Sequence, residues 1–171
     1  MTEPTPDAVT EAFDDHDAFE ASEEGYRVTT TVFDATVTAT DAEGVGHEYT
    51  VTVRTPMLGE AVAGEAVGPA VEDGWFETFE RRLEDAAGAT RARVELDEHR
   101  LVEDGGQAVA TLVFSYGDPT RAAEIAKTLV EYVEGTYVEG IVPGYDYRAP
   151  VTDLLGNAKT AGDNERGGTP L

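Results

Sequence analysis

Residues 33–56 read FDATVTATDAEGVGHEYTVTVRTP and alternate between apolar and polar side chains on both sides of a short loop. The apolar positions are Phe33, Ala35, Val37 and Ala39 in the first half and Tyr49, Val51 and Val53 in the second. A period of two is typical of a strand with one buried face, and the glycine-containing loop predicts that the two strands form a hairpin. Because threonines fill most of the polar positions, we expect an antiparallel sheet that is covered on one side only.

Three helices are expected around this hairpin. Apolar residues at helical spacing indicate a first helix over 6–16 and a second over 70–87, whose stripe includes Trp75, Phe76 and Phe79. A third helix follows Asp118, which can cap it, and Pro119, which suits the first turn.

The remaining strands complete the order of elements. Residues 18–31 alternate weakly and favour either one bent strand or two short strands. Residues 91–102 and 107–117 predict a second hairpin around Gly105 and Gly106. The inward positions of its second strand are predicted to be Val109, Thr111 and Val113. The fold class is therefore α+β: an antiparallel twisted sheet with helices packed on one face, in the order α-β-β-β-α-β-β-α.

The domain organisation follows from a change of character at Pro143. We expect residues 1–142 to form a single α+β domain and residues 143–171 to form an irregular C-terminal extension, whose last dozen residues are predicted to be disordered. Between the predicted sheet and the second helix, residues 57–70 predict a connection that passes over the sheet edge.

The net charge of the chain limits the classes of partner that it can bind. The 171 residues carry 35 acidic and 12 basic side chains, a formal net charge of −23, and no cysteine. Binding to nucleic acid or to an anionic membrane needs a basic face, so neither is expected. The sequence also has no apolar run long enough to span a bilayer and no visible signal peptide, and we therefore expect a cytoplasmic protein.

The same composition indicates an unusual solvent. Carboxylates are dense, only two lysines are present, and the apolar residues are mostly small, with only two isoleucines. This combination is typical of proteins that work in concentrated salt, because at about 1 M the Debye length is roughly 3 Å and self-repulsion is screened. High salt also strengthens apolar burial, so small side chains suffice for a core. The alternative is an acidic protein of ordinary cytosol.

No catalytic, metal or cofactor residue is predicted. The glycine-rich segment 59–68 carries Glu60 and Glu65 where a phosphate cradle needs a cation. Glu95, Asp97 and His99 alternate on one strand face and could bind a divalent metal, but a solvated outer face shared with nearby arginines is favoured.

Two groups of residues are candidates for contact with a partner. Arg91 and Arg93 belong to a cluster of five arginines within twenty residues, which would suit an acidic partner; the alternative is pairing with neighbouring glutamates and aspartates of the chain. Tyr145, Tyr147 and Arg148 combine aromatic rings with a guanidinium, as interface anchors do; the alternative is that they dock the C-terminal segment on the sheet.

The order of elements resembles that of the type III secretion chaperones, over about residues 13–140. Members of that group are small acidic binding proteins, often dimeric through the second helix and the strands after it, so the resemblance implies binding rather than catalysis. The segments GWFET at 74–78, VPGYDYR at 142–148 and RGGTPL at 166–171 are similar to an uncharacterised protein family of halophilic archaea, which implies no residue roles.

Two classes of function remain open at this point. The favoured one is a noncatalytic, chaperone-like or adaptor module that binds a protein or peptide partner and forms a homodimer. The alternatives are an uncharacterised enzyme, in its most plausible form metal-dependent at the Glu95, Asp97 and His99 face, or a small-ligand binder under residues 57–70.

Lowering the salt concentration should loosen the fold, because the net charge of −23 then repels itself. We expect far-UV and near-UV circular dichroism to be native-like in about 2 M KCl and to lose intensity after dialysis into about 20 mM buffer, where the Debye length is roughly 20 Å. Sodium sulfate added back at constant pH should restore both signals. Native-like spectra in the dilute buffer would contradict adaptation to salt.

Overall fold

A computed structural model describes residues 5–42 and 46–156 of the chain. Its main element is a six-stranded antiparallel sheet in the spatial order β1-β2-β3-β4-β7-β6. These strands are β1 (Phe19–Ser22), β2 (Gly25–Val28), β3 (Asp34–Asp41), β4 (His47–Pro56), β6 (Glu98–Asp104) and β7 (Gln107–Tyr116). A separate pair, β5 (Val62–Ala63) and β8 (Asp146–Tyr147), is also antiparallel.

Helices lie on one face of the six-stranded sheet. They are α1 (Asp7–Asp14), the one-turn α2 (Leu58–Ala61), α3 (Pro69–Leu83) and α4 (Pro119–Glu139). A 3₁₀ helix spans Ala86–Ala89, and residues 151–156 are also helical. The predicted α+β class, with an antiparallel sheet and its helices on one face, is confirmed, and the order of elements agrees in outline. None of the described helices is long and apolar enough to cross a membrane.

The β3–β4 hairpin forms as its alternation predicts. Val37 lies opposite Val51 and Thr36 lies opposite Thr52, so one side of both strands is apolar and the other is hydroxylic. The apolar side, which includes Val37, Val51 and Val53, is fully buried under the helices. Part of the predicted loop, residues 43–45, lies outside the described residues, as do residues 157–171 with the predicted disordered tail.

Strand β7 corrects one prediction. Val109, Thr111 and Val113 were expected to point inward, but the residues that join the core are their neighbours Ala108, Ala110, Leu112 and Phe114. The sequence of β7 is apolar almost throughout, so alternation could not distinguish its two sides. The register settles the matter, because Thr111 lies opposite Thr52 on the side away from the helices.

Two predicted segments take a more definite form. Of the alternatives for residues 18–31, the structure shows two short strands, since β1 and β2 pair around a turn at Glu23 and Glu24. The predicted connection at 57–70 is partly regular: residues 58–63 form α2 and β5, and Leu58 and Val62 are buried in the core.

Aromatic rings fill the core between the helices and the sheet. Phe13 of α1 contacts Tyr26 and Tyr49, and Tyr49 stacks on Phe114 with ring centroids 5.1 Å apart. A second group joins Trp75 and Phe79 of α3, as the helical stripe predicted, to Phe33 and Tyr137. The Tyr137 hydroxyl donates to Pro56 O at 3.1 Å, which ties α4 to the end of β4.

Alkaline pH should destabilise the fold through Tyr49. Burial, with a smaller contribution from the charge of Asp118, raises the pKa of Tyr49 to about 12, whereas an unfolded tyrosine has a pKa of about 10. The unfolded chain therefore releases this proton first, so stability is unaffected below pH 10 and falls between pH 10 and 12. At about 1.4 kcal/mol per pKa unit, the loss is roughly 2 to 3 kcal/mol.

The Tyr49→Phe variant isolates this effect. Among the described residues the Tyr49 hydroxyl has no hydrogen-bond partner, so its removal should leave stability at pH 7 unchanged or slightly higher. Urea unfolding in concentrated salt at pH 8, 10 and 11.5 should show a smaller alkaline loss in Tyr49→Phe than in the wild type. Tyr116→Phe, a half-buried tyrosine, serves as the control. Equal alkaline losses in the wild type and Tyr49→Phe would show that Tyr49 does not couple to folding.

Candidate functional site

The side of the six-stranded sheet away from the helices forms a broad exposed surface, which we call the open face. Its side chains come from alternate positions of the strands, because successive residues point to opposite sides. The members on the five strands from β2 to β6 are Arg27, Asp34, Thr36, Thr38, Thr40, Glu48, Thr50, Thr52, Arg54, Glu98, Arg100, Val102, Asp104, Gln107, Val109, Thr111, Val113 and Ser115.

The middle of the open face is hydroxylic. Strand register aligns Thr36, Thr52 and Thr111 in one row, and Arg27 and Arg100 end that row on either side. Threonine suits this position because its β-branched side chain packs on a pleated surface while its hydroxyl stays available for hydrogen bonding.

The strands of the open face carry both signs of charge. Including Glu20 of β1, the strands place three arginines there against five acidic side chains, whereas the whole chain has 12 basic and 35 acidic residues. The arginines are also paired: Arg27 with Glu20 at 2.9 Å, Arg100 with Glu98 at 3.2 Å and Arg54 with Asp104 at 4.0 Å. Glu23 and Glu24 line the depression described below and Asp97 bonds to Ser115, so the open face is acidic in sum while its arginines are held in local pairs.

The open face has only a shallow depression and no deep cleft among the described residues. A depression of about 350 Å³ lies over β3 and β4. Its lining residues are Glu23, Glu24, Asp34, Thr36, Thr38, Thr52 and Arg54. Towards the other end, Val109 and Val113 are covered by their neighbours, but Val102 of β6 is 47% exposed, the highest value among the large apolar residues described.

Strand β6 is an edge of the sheet. It pairs with β7 on one side, and most of its residues are exposed. Its turn has Gly105 at φ 58° and Gly106 at φ 82°, the left-handed values that a two-residue type I′ hairpin requires. In such a turn, Asp104 and Gln107 form a hydrogen-bonded pair across the two strands. Hydrogen-bonded pairs recur at every second residue of an antiparallel ladder, so Val102 and Arg100 also direct their backbone groups at β7.

The backbone groups of the intervening residues of β6 point away from β7. His99, Leu101 and Glu103 direct their backbone N–H and C=O groups to the free edge, where none of these groups has a hydrogen-bond partner within 5–42 and 46–156. An exposed edge of this kind is a template for pairing with another strand.

Arg91 and Arg93 lie in an irregular segment before β6, because the strand begins at Glu98 and not at residue 91 as predicted. Both are exposed, and neither makes an ion pair with any described residue. Of the expected cluster, Arg82 pairs with Glu139 at 3.8 Å and Arg100 with Glu98. In the part of the chain that the structure describes, pairing within the chain is thus found for Arg82 and Arg100, with other acidic partners than those between 77 and 85, and not for Arg91 or Arg93.

The three residues of the metal-binding alternative do not all lie on one strand, as the sequence had led us to expect. Glu95 and Asp97 precede the strand, and His99 lies on it. Asp97 accepts a hydrogen bond from the Ser115 hydroxyl at 3.0 Å. In the part of the chain that the structure describes, no group of three or more histidine or acidic side chains is placed to hold a metal ion.

Tyr145, Tyr147 and Arg148 lie together at β8, which pairs with β5. Arg148 donates from its backbone N–H to Ala61 O at 2.7 Å and from its side-chain Nε to Val62 O at 3.2 Å. Burial raises the pKa of Tyr147, so its hydroxyl stays protonated and donates to Val142 O. These contacts dock the segment on α2 and β5, apart from the irregular segment that carries Arg91 and Arg93.

Sequence reasoning identified the outward threonines of β3 and β4 but not the open face as a site. The open face could have been found by combining these threonines with the outward side chains of β7. The nearly continuous apolar sequence of β7 did not show which of its side chains point outward.

Comparison with known proteins finds one family. The model of a family of unknown function (DUF5813) matches residues 14–157. Neither the curated proteins nor the solved structures include a significant match to the chain.

Proposed function

Because the chain belongs to the DUF5813 family, whose function is unknown, we propose a function from the open face itself. The protein is a noncatalytic, chaperone-like or adaptor module that holds an extended protein segment on the open face and forms a homodimer through β6. The observation that carries this proposal is a six-stranded sheet with its helices on one side only and a broad threonine-rich surface on the other.

Several properties of the open face support binding of a protein segment. It is broad and shallow, it offers threonine hydroxyls as donors and acceptors, and it ends in the exposed Val102. An extended segment can lie across it with an apolar side chain on Val102 and polar groups on the threonine row. The same proposal places the protein in the cytoplasm and in concentrated salt, for which its acidic, lysine-poor composition is suited.

The free edge of β6 supports the homodimer. A two-fold axis normal to the sheet would pair two β6 strands antiparallel, with each residue opposite one of the same orientation. Centred on Val102, the pairing places Leu101 opposite Glu103 of the second copy, and both residues have free backbone groups at that edge. The two sheets would then form one continuous sheet with a doubled open face.

Side chains favour this register. Val102 would meet Val102 of the second copy in a non-hydrogen-bonded pair, where opposite side chains approach closely. Arg100, two residues earlier, would lie opposite Asp104 of the second copy, and the symmetry repeats this pair. The pairing thus covers the most exposed large apolar side chain described and sets opposite charges against each other.

The homodimer is tested by light scattering in about 2 M KCl. We expect the wild type at twice its chain mass of 18.3 kDa and Val102→Lys at 18.3 kDa, since lysine removes the apolar contact between the two Val102 side chains and its ammonium group must stay hydrated. Val71→Lys is the matched control, because Val71 of α3 is 39% exposed and lies outside the proposed pairing, so this variant should stay dimeric. A wild type with only an 18.3 kDa particle would refute the homodimer.

Binding on the open face is tested with a displayed library of extended peptides, selected on the protein in the same salt. Thr52→Lys, in the centre of the threonine row, should weaken binding of the selected peptides at least about tenfold, or about 1.4 kcal/mol. Thr152→Lys, an exposed threonine of the helical segment 151–156, should bind as the wild type does. Peptides that bind Thr52→Lys and wild type equally, or a library that yields no binder, would refute the proposed site.

A further inference from the structure

A cleft on the helical side of the molecule carries a separate inference. It has a volume of about 420 Å³ and lies between residues 89–92 and the first turns of α4. We propose that it binds a carboxylate group carried on a short apolar stem. We call it the arginine cleft, after Arg91 on one wall and Arg121 on the other. This proposal does not rest on binding at the open face or on the homodimer.

Charge is the first argument. Arg91 makes no ion pair within the described ranges, although acidic residues outnumber basic ones almost three to one in the chain. The nearest carboxylate to Arg121 is that of Asp118, at 4.0 Å from its Nε. Glu124 is the only acidic residue among those that line the cleft, and its carboxylate contacts His16 Nε2 at 2.5 Å. The lining of the cleft thus has two guanidinium groups to one carboxylate, the reverse of the excess of acidic residues in the chain.

Chemistry of the walls is the second argument. Guanidinium groups bind carboxylates through parallel N–H···O bonds, and two of them can share one carboxylate. The Thr128 hydroxyl adds a donor on the α4 side, and the floor includes the apolar side chains of Ala92 and Ile125. A ligand with a carboxylate on an apolar stem of a few carbons would match both the guanidinium groups and the apolar floor. The volume of the cleft lies within the range of small-molecule sites.

Local structure holds the two walls together. The 3₁₀ helix Ala86–Ala89 places Ala86 fully in the core. After it, the Thr90 hydroxyl donates to Ala87 O at 3.0 Å and lies 2.9 Å from Ala92 O, which defines the bend around Arg91. Arg121 and Thr128 lie on α4, where Ala122, Ile125 and Leu129 are buried in the core. Both walls are thus tied to the folded domain before any ligand arrives.

Two sources could supply such a group: a free short-chain acid or the carboxylate of a peptide. The first probe is butyrate, titrated at constant total ionic strength into ¹⁵N-labelled protein, with amide and arginine Nε signals observed by NMR. We expect saturable shifts at Arg91, Ala92, Arg121 and Thr128. Butylamine, with the same stem and the opposite charge, should produce none of these. The second probe is a short peptide ending in valine, used with a free or an amidated C-terminus.

Variants decide whether the cleft is the site. Arg91→Gln and Arg121→Gln should each weaken butyrate binding at least about tenfold, whereas Arg93→Gln, an exposed and unpaired arginine outside the lining of the cleft, should leave it unchanged. Tighter binding of the free-carboxylate peptide than of butyrate would assign the site to peptides, and the reverse would assign it to free acids. Shifts that do not saturate, or that persist in Arg91→Gln, would overturn the proposal whatever the peptide selection on the open face shows.

Discussion

The structure depends on burial of one face of α4 against the apolar side of β4 and β7. Ala122, Ala126 and Leu129 of the helix are fully buried, and so are Val51 and Val53 of the sheet. Small residues on the helix let it lie close to the strands, where packing is dense enough for the many weak dispersion contacts to add up. The other helices pack around this layer: α1, the 3₁₀ helix and α3 contact α4, α3 also contacts β6, and α2 contacts β4.

One-sided burial has a direct consequence for the surface. Helices cover only one side of the sheet, so most of its other side is exposed to solvent. The side chains on that exposed side must therefore be largely polar. Threonine satisfies this requirement without adding charge, and the few charges present are paired locally. The sheet thus retains a largely hydroxylic surface, on which we propose that a protein segment lies.

Agreement between sequence and structure follows the strength of the local pattern. The β3–β4 hairpin was predictable because its polar and apolar positions alternate without interruption, and α4 because Asp118 caps it, accepting from Thr120 N at 3.0 Å. Strand β7 was not, since an apolar run shows strand but not orientation. Within the predicted connection at 57–70, α2 and β5 were not predicted, because a single turn and a two-residue strand carry too little periodicity to detect.

Local patterns in the amino-acid chain by themselves determined the fold class, the one-sided sheet, the order of the main elements and the dense negative charge. These are properties of neighbouring residues, or of composition, and need no knowledge of what lies across the sheet. Only the tertiary structure decided that three threonines from β3, β4 and β7 share a row, that β6 is a free edge, and that Arg91 and Arg121 line one cleft. Such groupings depend on strand register and helix packing between residues far apart in the chain, and local patterning does not encode which distant residues become neighbours.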